Sequence, residues 1–296
     1  MDKLTVRKAV IPAAGFGTRF LPITKSVPKE MLPIVDKPAV QYIVEEAVDS
    51  GIKEILIIAN RFKRCIEDHF DKNYELENLL KRFDRTDDLK TVLMSHLDAE
   101  FTYVRQKEMR GSGAAVGLAR SFVKDEPFAV LFADDVIYNA NKPCTRQLIE
   151  AYEKTRLSVV GVQSVSDKTA LKCGVIKKGA VKGRYTEIKG IVEKPSDINA
   201  LPSNLASLGR FVLTPDIFDA LERTALRNNE VFLTDAIDLV AREAGAYAYE
   251  FEGERYDIGD RVGFLIANIE YGLRDKRAGG ELKKYLSELN RGGGDN

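Results

Sequence analysis

Cysteine and histidine are scarce in this 296-residue sequence, which contains three of the former and two of the latter. Cys65, Cys144 and Cys173 are odd in number and far apart, with no C-x-x-C pair, and His69 and His96 stand alone. This spacing argues against a disulfide framework and against a zinc site. We therefore interpret all five side chains as packed or solvated.

Long apolar runs and an excess of charge of one sign are also missing. No run approaches the roughly 18 residues that a membrane-spanning helix needs, and the first residues, M-D-K-L-T-V-R-K, lack the apolar stretch of a signal peptide. Basic and acidic residues both number 45, which gives a formal net charge of zero. No global field thus favours nucleic acid or an anionic membrane. We expect a globular, cytoplasmic protein that binds neither and meets any polyanionic ligand with local charge.

The order of the predicted elements favours an α/β fold. Short runs of branched and aromatic residues predict buried strands at 6–12, 54–59, 101–105, 128–133 and 158–162. Helices are predicted at 38–50, 113–122 and 146–154, and two more begin at Pro215 and Thr234. This alternation indicates a Rossmann-like, mixed but mostly parallel central sheet flanked by helices. Ligands in such sheets bind beyond the carboxyl ends of the strands.

The pattern changes after about residue 164. Short strands with polar turns predict a smaller β-rich extension, antiparallel or mixed, that holds a second substrate over the sheet. From 275 to 296 the chain is a charged tail, predicted to be partly helical and then disordered at its end. Within the tail, one amphipathic stripe is able to pack back or to contact another subunit. It consists of Leu282, Tyr285, Leu286 and Leu289.

The stretch 10–29 reads V-I-P-A-A-G-F-G-T-R-F-L-P-I-T-K-S-V-P-K and starts like a nucleotide-binding strand and glycine turn. It approaches the dinucleotide motif G-x-G-x-x-G, but Phe20 stands at the third glycine. In addition, Pro22, Pro28 and Pro33 prevent the long helix that this motif requires. The P-loop pattern G-x-x-x-x-G-K-[ST] is absent from the sequence. Neither of these two nucleotide-binding motifs is therefore present.

What remains is a glycine turn followed by cations. The backbone N–H groups of such a turn can approach a nucleotide closely, and Arg19, Lys25 and Lys29 follow on a segment that proline is expected to keep extended. Cationic side chains and a metal ion offset the negative charge of a triphosphate. The segment indicates a triphosphate site; the alternative is an ordinary surface loop with solvated lysines.

Two further motifs bear carboxylates. L-F-A-D-D ends a predicted strand in Asp134 and Asp135, at the edge where an α/β sheet places its ligands. One strand-end carboxylate can hold Mg²⁺, a hard cation that prefers oxygen ligands, although such a pair is as often a turn or a helix cap. Asp257 in Y-D-I-G-D is a second candidate. The tripeptide E-K-P at 193–195 is a weak signal by itself, because a surface Glu-Lys pair before a turn is ordinary.

The sequences P-A-A-G-F-G-T-R-F-L-P and P-K-E-M-L-P-I-V-D-K-P resemble the signature of the nucleotidyltransferases that make nucleoside-diphosphate sugars. From about residue 7 to 274 the chain is most similar to the uridylyltransferases of that family. The resemblance implies that UTP and glucose 1-phosphate give UDP-glucose and pyrophosphate by in-line attack, without a covalent intermediate and with Mg²⁺ as cofactor. It implies one domain over 1–274, with a nucleotide-binding half at about 1–163 and a sugar-binding half at about 164–274, in a homodimer or homotetramer.

The resemblance also implies roles for individual residues. Arg19 and Lys29 would hold the triphosphate, Lys194 would hold the sugar phosphate, and Asp134 with Asp257 would hold the metal ion. Nucleotide contacts would come from Ala13, Ala14, Gly15, Gly17, Thr18, Glu30, Gln106 and Gly111, and sugar contacts from Asp135, Gly174 and Glu193. The amide of Gln106 can donate and accept together, which suits a uracil edge.

Three positions depart from the family pattern. Relatives commonly have histidine at Ala114, an aromatic residue at Cys173 and glutamine at Phe232. All three are expected near the base or the sugar, so they bear on substrate preference more than on reaction type. Two alternatives follow: a related nucleotidyltransferase with a different NTP or hexose 1-phosphate, and a weakly active regulatory paralogue.

Overall fold

The computed structural model describes residues 5–95 and 97–292. The predictions for His96 and for disorder at residues 293–296 lie outside the described residues. The strands within the described part of the chain are β1 Lys8–Pro12, β2 Pro33–Ile34, β3 Lys37–Pro38, β4 Glu54–Ala59, β5 Glu100–Arg105, β6 Phe128–Leu131, β7 Asp135–Tyr138, β8 Ser158–Ser164, β9 Gly174–Lys182, β10 Tyr185–Glu193, β11 Leu205–Leu213, β12 Ala246–Glu250 and β13 Glu254–Asp257. The α-helices in the same residues are α1 Ala39–Asp49, α2 Arg64–Phe70, α3 Tyr74–Arg82, α4 Thr86–Leu93, α5 Gly111–Gly117, α6 Arg120–Val123, α7 Cys144–Thr155, α8 Asp167–Ala170, α9 Ile217–Arg223, α10 Leu233–Glu243, α11 Arg261–Arg274 and α12 Gly279–Gly292.

Nine of these strands form one central sheet in the order β5-β4-β1-β6-β11-β8-β12-β10-β9. Strand β1 pairs in parallel with β4 and β6, and β12 pairs in parallel with β8. Only β10 and β11 run against the other strands of this sheet. The predicted mixed, mostly parallel α/β sheet is therefore confirmed.

Apolar side chains are buried on both faces of the sheet. Successive side chains of a strand point to opposite sides, so one strand contributes to both faces. In β1, Ala9 and Ile11 belong to one apolar cluster, and Val10 belongs to the other. All three side chains are fully buried. Short apolar runs without polar alternation are the expected signature of strands buried on both faces.

The β-rich second half of the chain extends the same sheet. Strands β9 and β10 pair as an antiparallel hairpin at one edge, and β11 returns to the centre between β6 and β8. The start of β11 also pairs with β9 at Ser207. The predicted antiparallel strands are present, and through β11 they lie directly beside the parallel strands of the first half.

Most predicted elements are present with shifted ends. The predicted helix at 113–122 is instead two short helices, α5 and α6, and the prediction omitted helices α2 to α4 between β4 and β5. The surface of that omitted region is mostly exposed and polar, so apolar periodicity gives a weak signal there. In the tail helix, Leu282 and Leu286 are half-buried whereas Tyr285 and Leu289 are exposed.

The proline-containing segment after the glycine turn was predicted to be extended, and this was wrong. It folds into three single 3-10 turns at Thr18–Phe20, Ile23–Lys25 and Lys29–Met31. Pro22 and Pro28 stand immediately before the second and third turns. Proline presets its own backbone angle and disfavours a helical conformation in the residue before it, so Pro22 and Pro28 separate the three turns.

No helix within the described residues is both long and apolar enough to cross a membrane. The three cysteines are all free thiols, as the sequence predicts. His69 packs in α2, where its Nε2 lies 2.8 Å from Gln41 Oε1.

Candidate active site

A cleft of about 970 Å³ opens at the carboxyl ends of β1 and β6. Fifteen of the sixteen candidate residues line it: Ala14, Gly15, Gly17, Thr18, Arg19, Lys29, Glu30, Gln106, Gly111, Asp134, Asp135, Gly174, Glu193, Lys194 and Asp257. Ala13 lies behind the lining, where its carbonyl accepts a hydrogen bond from Lys63 Nζ at 2.6 Å. Lys25 faces a separate cavity of about 340 Å³ on the outer side of the glycine loop, together with Leu21 and Phe62.

The glycine loop is held in a defined shape. Gly17 has a φ of 66°, which favours glycine, and a Cβ there would lie 3.1 Å from Lys29 Cβ and crowd it. Its carbonyl accepts a 2.8 Å hydrogen bond from Thr24 Oγ1. Arg261, at the start of α11, donates to the Arg19 carbonyl at 3.1 Å. The loop is therefore fixed from both the following turn and a distant helix.

Lys29 and Asp134 form an ion pair in the cleft, with Nζ 2.7 Å from Oδ2. Burial by itself lowers the pKa of Lys29, but the Asp134 and Glu30 carboxylates outweigh this and raise it. Burial acts on Asp134 in the opposite sense and raises its pKa. The charge and hydrogen bond of Lys29, with the charge of Arg19, nevertheless hold the pKa of Asp134 below its usual range. Both groups are charged at neutral pH.

A buried ion pair supports the loop from below. Lys63 Nζ donates to Glu30 Oε2 at 2.7 Å, and the Glu30 side chain has no exposed surface. Glu30 Oε1 has no hydrogen-bond partner within the described residues. Burial lowers the pKa of Lys63, while the Glu30 charge opposes that shift. The structure thus gives Glu30 a supporting position beneath Lys29, and its contact with a nucleotide stays a prediction.

The carboxylates of Asp134 and Asp257 lie near each other beside Gly259, together with the Arg19 guanidinium. A Cβ on Gly259 would lie 3.1 Å from both Asp134 Oδ2 and Asp257 Oδ1. Gly259 donates its N–H to Asp257 Oδ1 at 3.0 Å. Within the described residues no group of three or more His, Cys, Asp or Glu is arranged to hold a metal ion. Two carboxylates fit a magnesium-like ion, which commonly takes one or two protein oxygens and fills its remaining positions with water and substrate phosphate.

Asp135 is paired with Arg255, whose Nε donates to Oδ1 at 2.6 Å. Burial raises the pKa of Asp135 to about 6; Arg255 lowers it, and the nearby Asp134 and Asp257 charges add to the rise. A Cβ on Gly209 in β11 would collide with Asp135 Oδ2, so glycine is needed for this carboxylate to fit. Asp135 therefore lines the cleft with its carboxylate already paired to a cation.

Gln106 and Gly111, which are predicted to contact the uracil base, line another side of the cleft. Gln106 follows β5, is 7% exposed, and its Nε2 has no hydrogen-bond partner within the described residues. An unpaired buried donor is costly unless a ligand or water satisfies it. Gly111 has a φ of 85° and packs against the Val231 carbonyl, which accepts a bond from Gly113 at 2.9 Å.

Glu193 and Lys194 end β10 at a third side of the cleft. Glu193 Oε2 accepts a 2.8 Å hydrogen bond from Thr234 Oγ1 at the start of α10. Burial raises the pKa of Glu193, whereas the Thr234 hydrogen bond and the Lys194 charge lower it. A Cβ on Gly174 would lie 2.8 Å from Thr234 Cγ2 and 3.0 Å from Glu193 Oε2. Glycine at this position therefore leaves room for the Glu193 carboxylate as well as for a ligand.

Of the three departures from the family pattern, Cys173 and Phe232 line the cleft and Ala114 does not. Burial raises the pKa of the Cys173 thiol to about 11, so this cysteine is a neutral, packed side chain at neutral pH. Cys173 and Phe232 therefore face the cleft, and the placement of these positions near the base or the sugar stays a prediction.

The sequence analysis missed three residues that pair with carboxylates of the cleft. Arg255 pairs with Asp135, Thr234 orients Glu193, and Lys63 neutralises Glu30. Arg255 could have been found, because it stands two residues before Asp257 on the same face of β13. Lys63 immediately precedes α2 and Thr234 lies in α10, and no local pattern in the sequence marks them.

Comparisons with known proteins identify chains similar to this one. The family model described as nucleotidyl transferase matches residues 8–272. UTP–glucose-1-phosphate uridylyltransferase 2 of Staphylococcus saprophyticus is 50% identical over 96% of this chain and 98% of the relative. A UDP-glucose pyrophosphorylase solved in complex with UDP-glucose is 42% identical, with a TM-score of 0.82 over 92% of this chain and 100% of that one. A UTP-bound structure of the Acinetobacter baumannii enzyme is 36% identical, with a TM-score of 0.89 over 96% of this chain and 100% of that one.

Proposed function

The chain belongs to the nucleotidyl transferase family, and we propose that it transfers the uridylyl group of UTP to glucose 1-phosphate, giving UDP-glucose and pyrophosphate. One observation carries the proposal: a single cleft is lined both by cations of the glycine loop, Arg19 and Lys29, and by Lys194 from a distant strand end. Two separate anions can therefore be held in one space. The names of the relatives reported above agree with this pair of substrates.

The chemical step needs no nucleophile from the protein. An oxygen of the sugar phosphate, already ionised near neutral pH, attacks the α-phosphorus of UTP. The new bond joins that oxygen to the α-phosphorus, and the bond from the α-phosphorus to the bridging oxygen breaks as pyrophosphate leaves. Catalysis then consists of positioning and charge stabilisation. Arg19 and Lys29 stabilise the triphosphate and the departing pyrophosphate, and Lys194 holds the attacking phosphate.

Nucleotidyltransferases of this family generally use a divalent metal, and we propose Mg²⁺ held by Asp134 and Asp257. When bound, the ion offsets phosphate charge by several kcal/mol of electrostatic stabilisation. Support comes from the proximity of the two carboxylates beside Gly259. The Lys29 ammonium keeps Asp134 ionised, and therefore able to act as a ligand, at neutral pH.

The remaining cleft residues fit recognition of the two substrates. The unpaired Nε2 of Gln106 is a donor for a carbonyl oxygen of uracil. Glu193, oriented by Thr234, accepts hydrogen bonds from sugar hydroxyls, and Gly174 leaves space beside it. Backbone N–H groups of Ala14, Gly15 and Gly17 are the proposed nucleotide contacts of the loop. This division assigns the nucleotide to residues 1–163 and the sugar to 164–274.

A homodimer or homotetramer is our further proposal for the assembly. Helix α11 carries exposed apolar side chains at Val262, Leu265 and Ile266, which lie on one face of the helix. A face of this kind is typical of a protein contact. Light scattering on the purified protein gives its mass directly. The cytoplasm stays the predicted location.

The proposed function is tested with purified protein, UTP, glucose 1-phosphate and Mg²⁺. We expect stoichiometric formation of pyrophosphate and UDP-glucose, resolved by chromatography. A panel of the four NTPs, dTTP and several hexose 1-phosphates identifies the preferred pair. If no pair releases pyrophosphate, the proposed reaction is wrong.

A further inference from the structure

Two cations approach the ring of Phe232 at the edge of the cleft. Lys194 Nζ lies 5.1 Å and Arg227 Cζ lies 4.8 Å from the ring centroid. Both distances fall within the range in which the negative face of an aromatic ring attracts a cation. Phe232 is half-buried and stands at the start of α10, two residues before Thr234.

Lys194 is weakly held by its other neighbours. Its side chain is 57% exposed, and the nearest oxygen of Glu193 lies 3.8 Å from Nζ, which is too long for a hydrogen bond. Its backbone is firmly placed: φ is 46°, and its N–H donates to the Cys173 carbonyl at 3.0 Å. The backbone is thus fixed, but without a further contact a flexible four-carbon stem would sample many rotamers.

The Phe232 ring also contacts Arg227, whose side chain is held in place by Asp235. Arg227 is bound by Asp235 through two hydrogen bonds, from Nε at 2.9 Å and from Nη2 at 2.8 Å. A bidentate guanidinium–carboxylate pair has one preferred geometry. The Asp235 carboxylate therefore holds the Arg227 guanidinium against the Phe232 ring. Asp235, Arg227, Phe232 and Lys194 thus form a continuous series of contacts that ends at the cleft.

We propose that Phe232 is a positioning residue for Lys194, and that its ring holds the ammonium in the orientation in which it meets the phosphate of the incoming sugar. The proposal rests on the proposed function, because it assigns a purpose to the lysine of that reaction. Preordering of a side chain lowers the entropy lost when the ligand binds. The effect is therefore confined to the sugar phosphate and does not extend to UTP.

Steady-state kinetics of Phe232→Leu and Phe232→Tyr test the proposal. Leucine removes the ring while remaining apolar, and we expect KM for glucose 1-phosphate to rise about three- to tenfold, with KM for UTP unchanged. Tyrosine keeps the aromatic face and should restore a KM near that of the wild type. Wild-type KM in the leucine variant, or an equal rise for both substrates that tyrosine does not correct, would overturn the proposal.

A double-mutant cycle separates positioning from general packing. In the Lys194→Met background the ring has no ammonium to hold, so Phe232→Leu should cause no further loss of glucose 1-phosphate use. If the two losses instead multiply, Phe232 acts independently of Lys194 and the proposal is wrong.

One readout does not depend on the reaction. In protein carrying ¹³C-methylated lysines, the Phe232 ring current should shift the Lys194 signals upfield, and the shift should disappear in Phe232→Leu and persist in Phe232→Tyr. The Lys194→Met variant assigns the signal. Absence of the ring-current shift refutes the positioning role even if UDP-glucose is formed. If the shift is present but no substrate pair reacts, the proposed function has failed while the Phe232–Lys194 contact stands.

Discussion

Lys29 Nζ lies 2.7 Å from Asp134 Oδ2, so the cation proposed for the triphosphate and the carboxylate proposed for the metal ion neutralise each other. The two residues are 105 positions apart, one in the third 3-10 turn of the loop and the other after β6. We expect Lys29 to exchange this carboxylate for phosphate oxygens when UTP binds. The pair thereby keeps both side chains charged and placed before the substrates arrive.

Asp134→Asn removes the charge of one proposed metal ligand at nearly constant size. We expect turnover with saturating Mg²⁺ to fall by about three orders of magnitude or more, because a metal ion contributes several kcal/mol of charge stabilisation. The measurement is pyrophosphate release with and without a chelator. Asp98→Asn, an exposed carboxylate paired with Lys53, is the matched control and should react at the wild-type rate. Turnover of the wild type that resists the chelator would contradict the metal assignment.

Lys194→Ala should impair use of glucose 1-phosphate far more than use of UTP. The ammonium lies at the end of β10, away from the glycine loop, and is proposed to contact only the incoming phosphate. A charge-assisted contact of this kind corresponds to about a tenfold to hundredfold rise in KM for the sugar phosphate. Initial rates at varied concentrations of each substrate give the two KM values. Lys182→Ala, an exposed lysine of β9, serves as control, and equal effects on both substrates would refute the assigned role.

Arg210→Met should destabilise the fold beneath the site. Arg210 is fully buried, bonds Glu46 Oε2 at 2.7 Å, and donates to the Asp135 carbonyl at 2.7 Å. Leaving Glu46 buried without this partner should lower the free energy of unfolding by about 3–5 kcal/mol, measured by urea denaturation. The double variant Glu46→Leu/Arg210→Met should recover part of that loss because no unpaired charge remains. Equal stability of the single variant and the wild type would show that the pair is not needed.

Thr234→Val should move the acid limb of activity to higher pH. Its hydroxyl donates to Glu193 and lowers the pKa of that carboxyl, which burial has already raised. Removing the donor raises the pKa of Glu193 further, so at a given acidic pH fewer molecules carry the ionised carboxylate that accepts sugar hydroxyls. The pH profile of kcat/KM for glucose 1-phosphate gives the shift. Thr234→Ser keeps the donor and should match the wild type; an unchanged or lowered limb in the valine variant would contradict the role of Glu193.

The strands of the central sheet could be predicted closely, because buried strands carry apolar runs that turns interrupt. Strand β4 was predicted with its observed bounds, whereas the exposed helices α2 to α4 were missed. The loop after β1 shows a different limit. Its prolines exclude a long helix, but they do not decide between extended chain and 3-10 turns. In the folded chain Thr24 bonds the Gly17 carbonyl and Arg261 bonds the Arg19 carbonyl, and local sequence does not reveal the second of these contacts.

The sequence by itself determined the alternating α/β pattern, the glycine turn at a strand end and the residue types able to meet phosphate and metal. These depend on local periodicity and on side-chain chemistry, which a single chain displays directly. Only the tertiary structure decided which groups meet. Lys63 neutralises Glu30, Arg255 engages Asp135, and Phe232 faces Lys194. Such pairings join residues from different parts of the chain, and the way the sheet orders its strands brings them together.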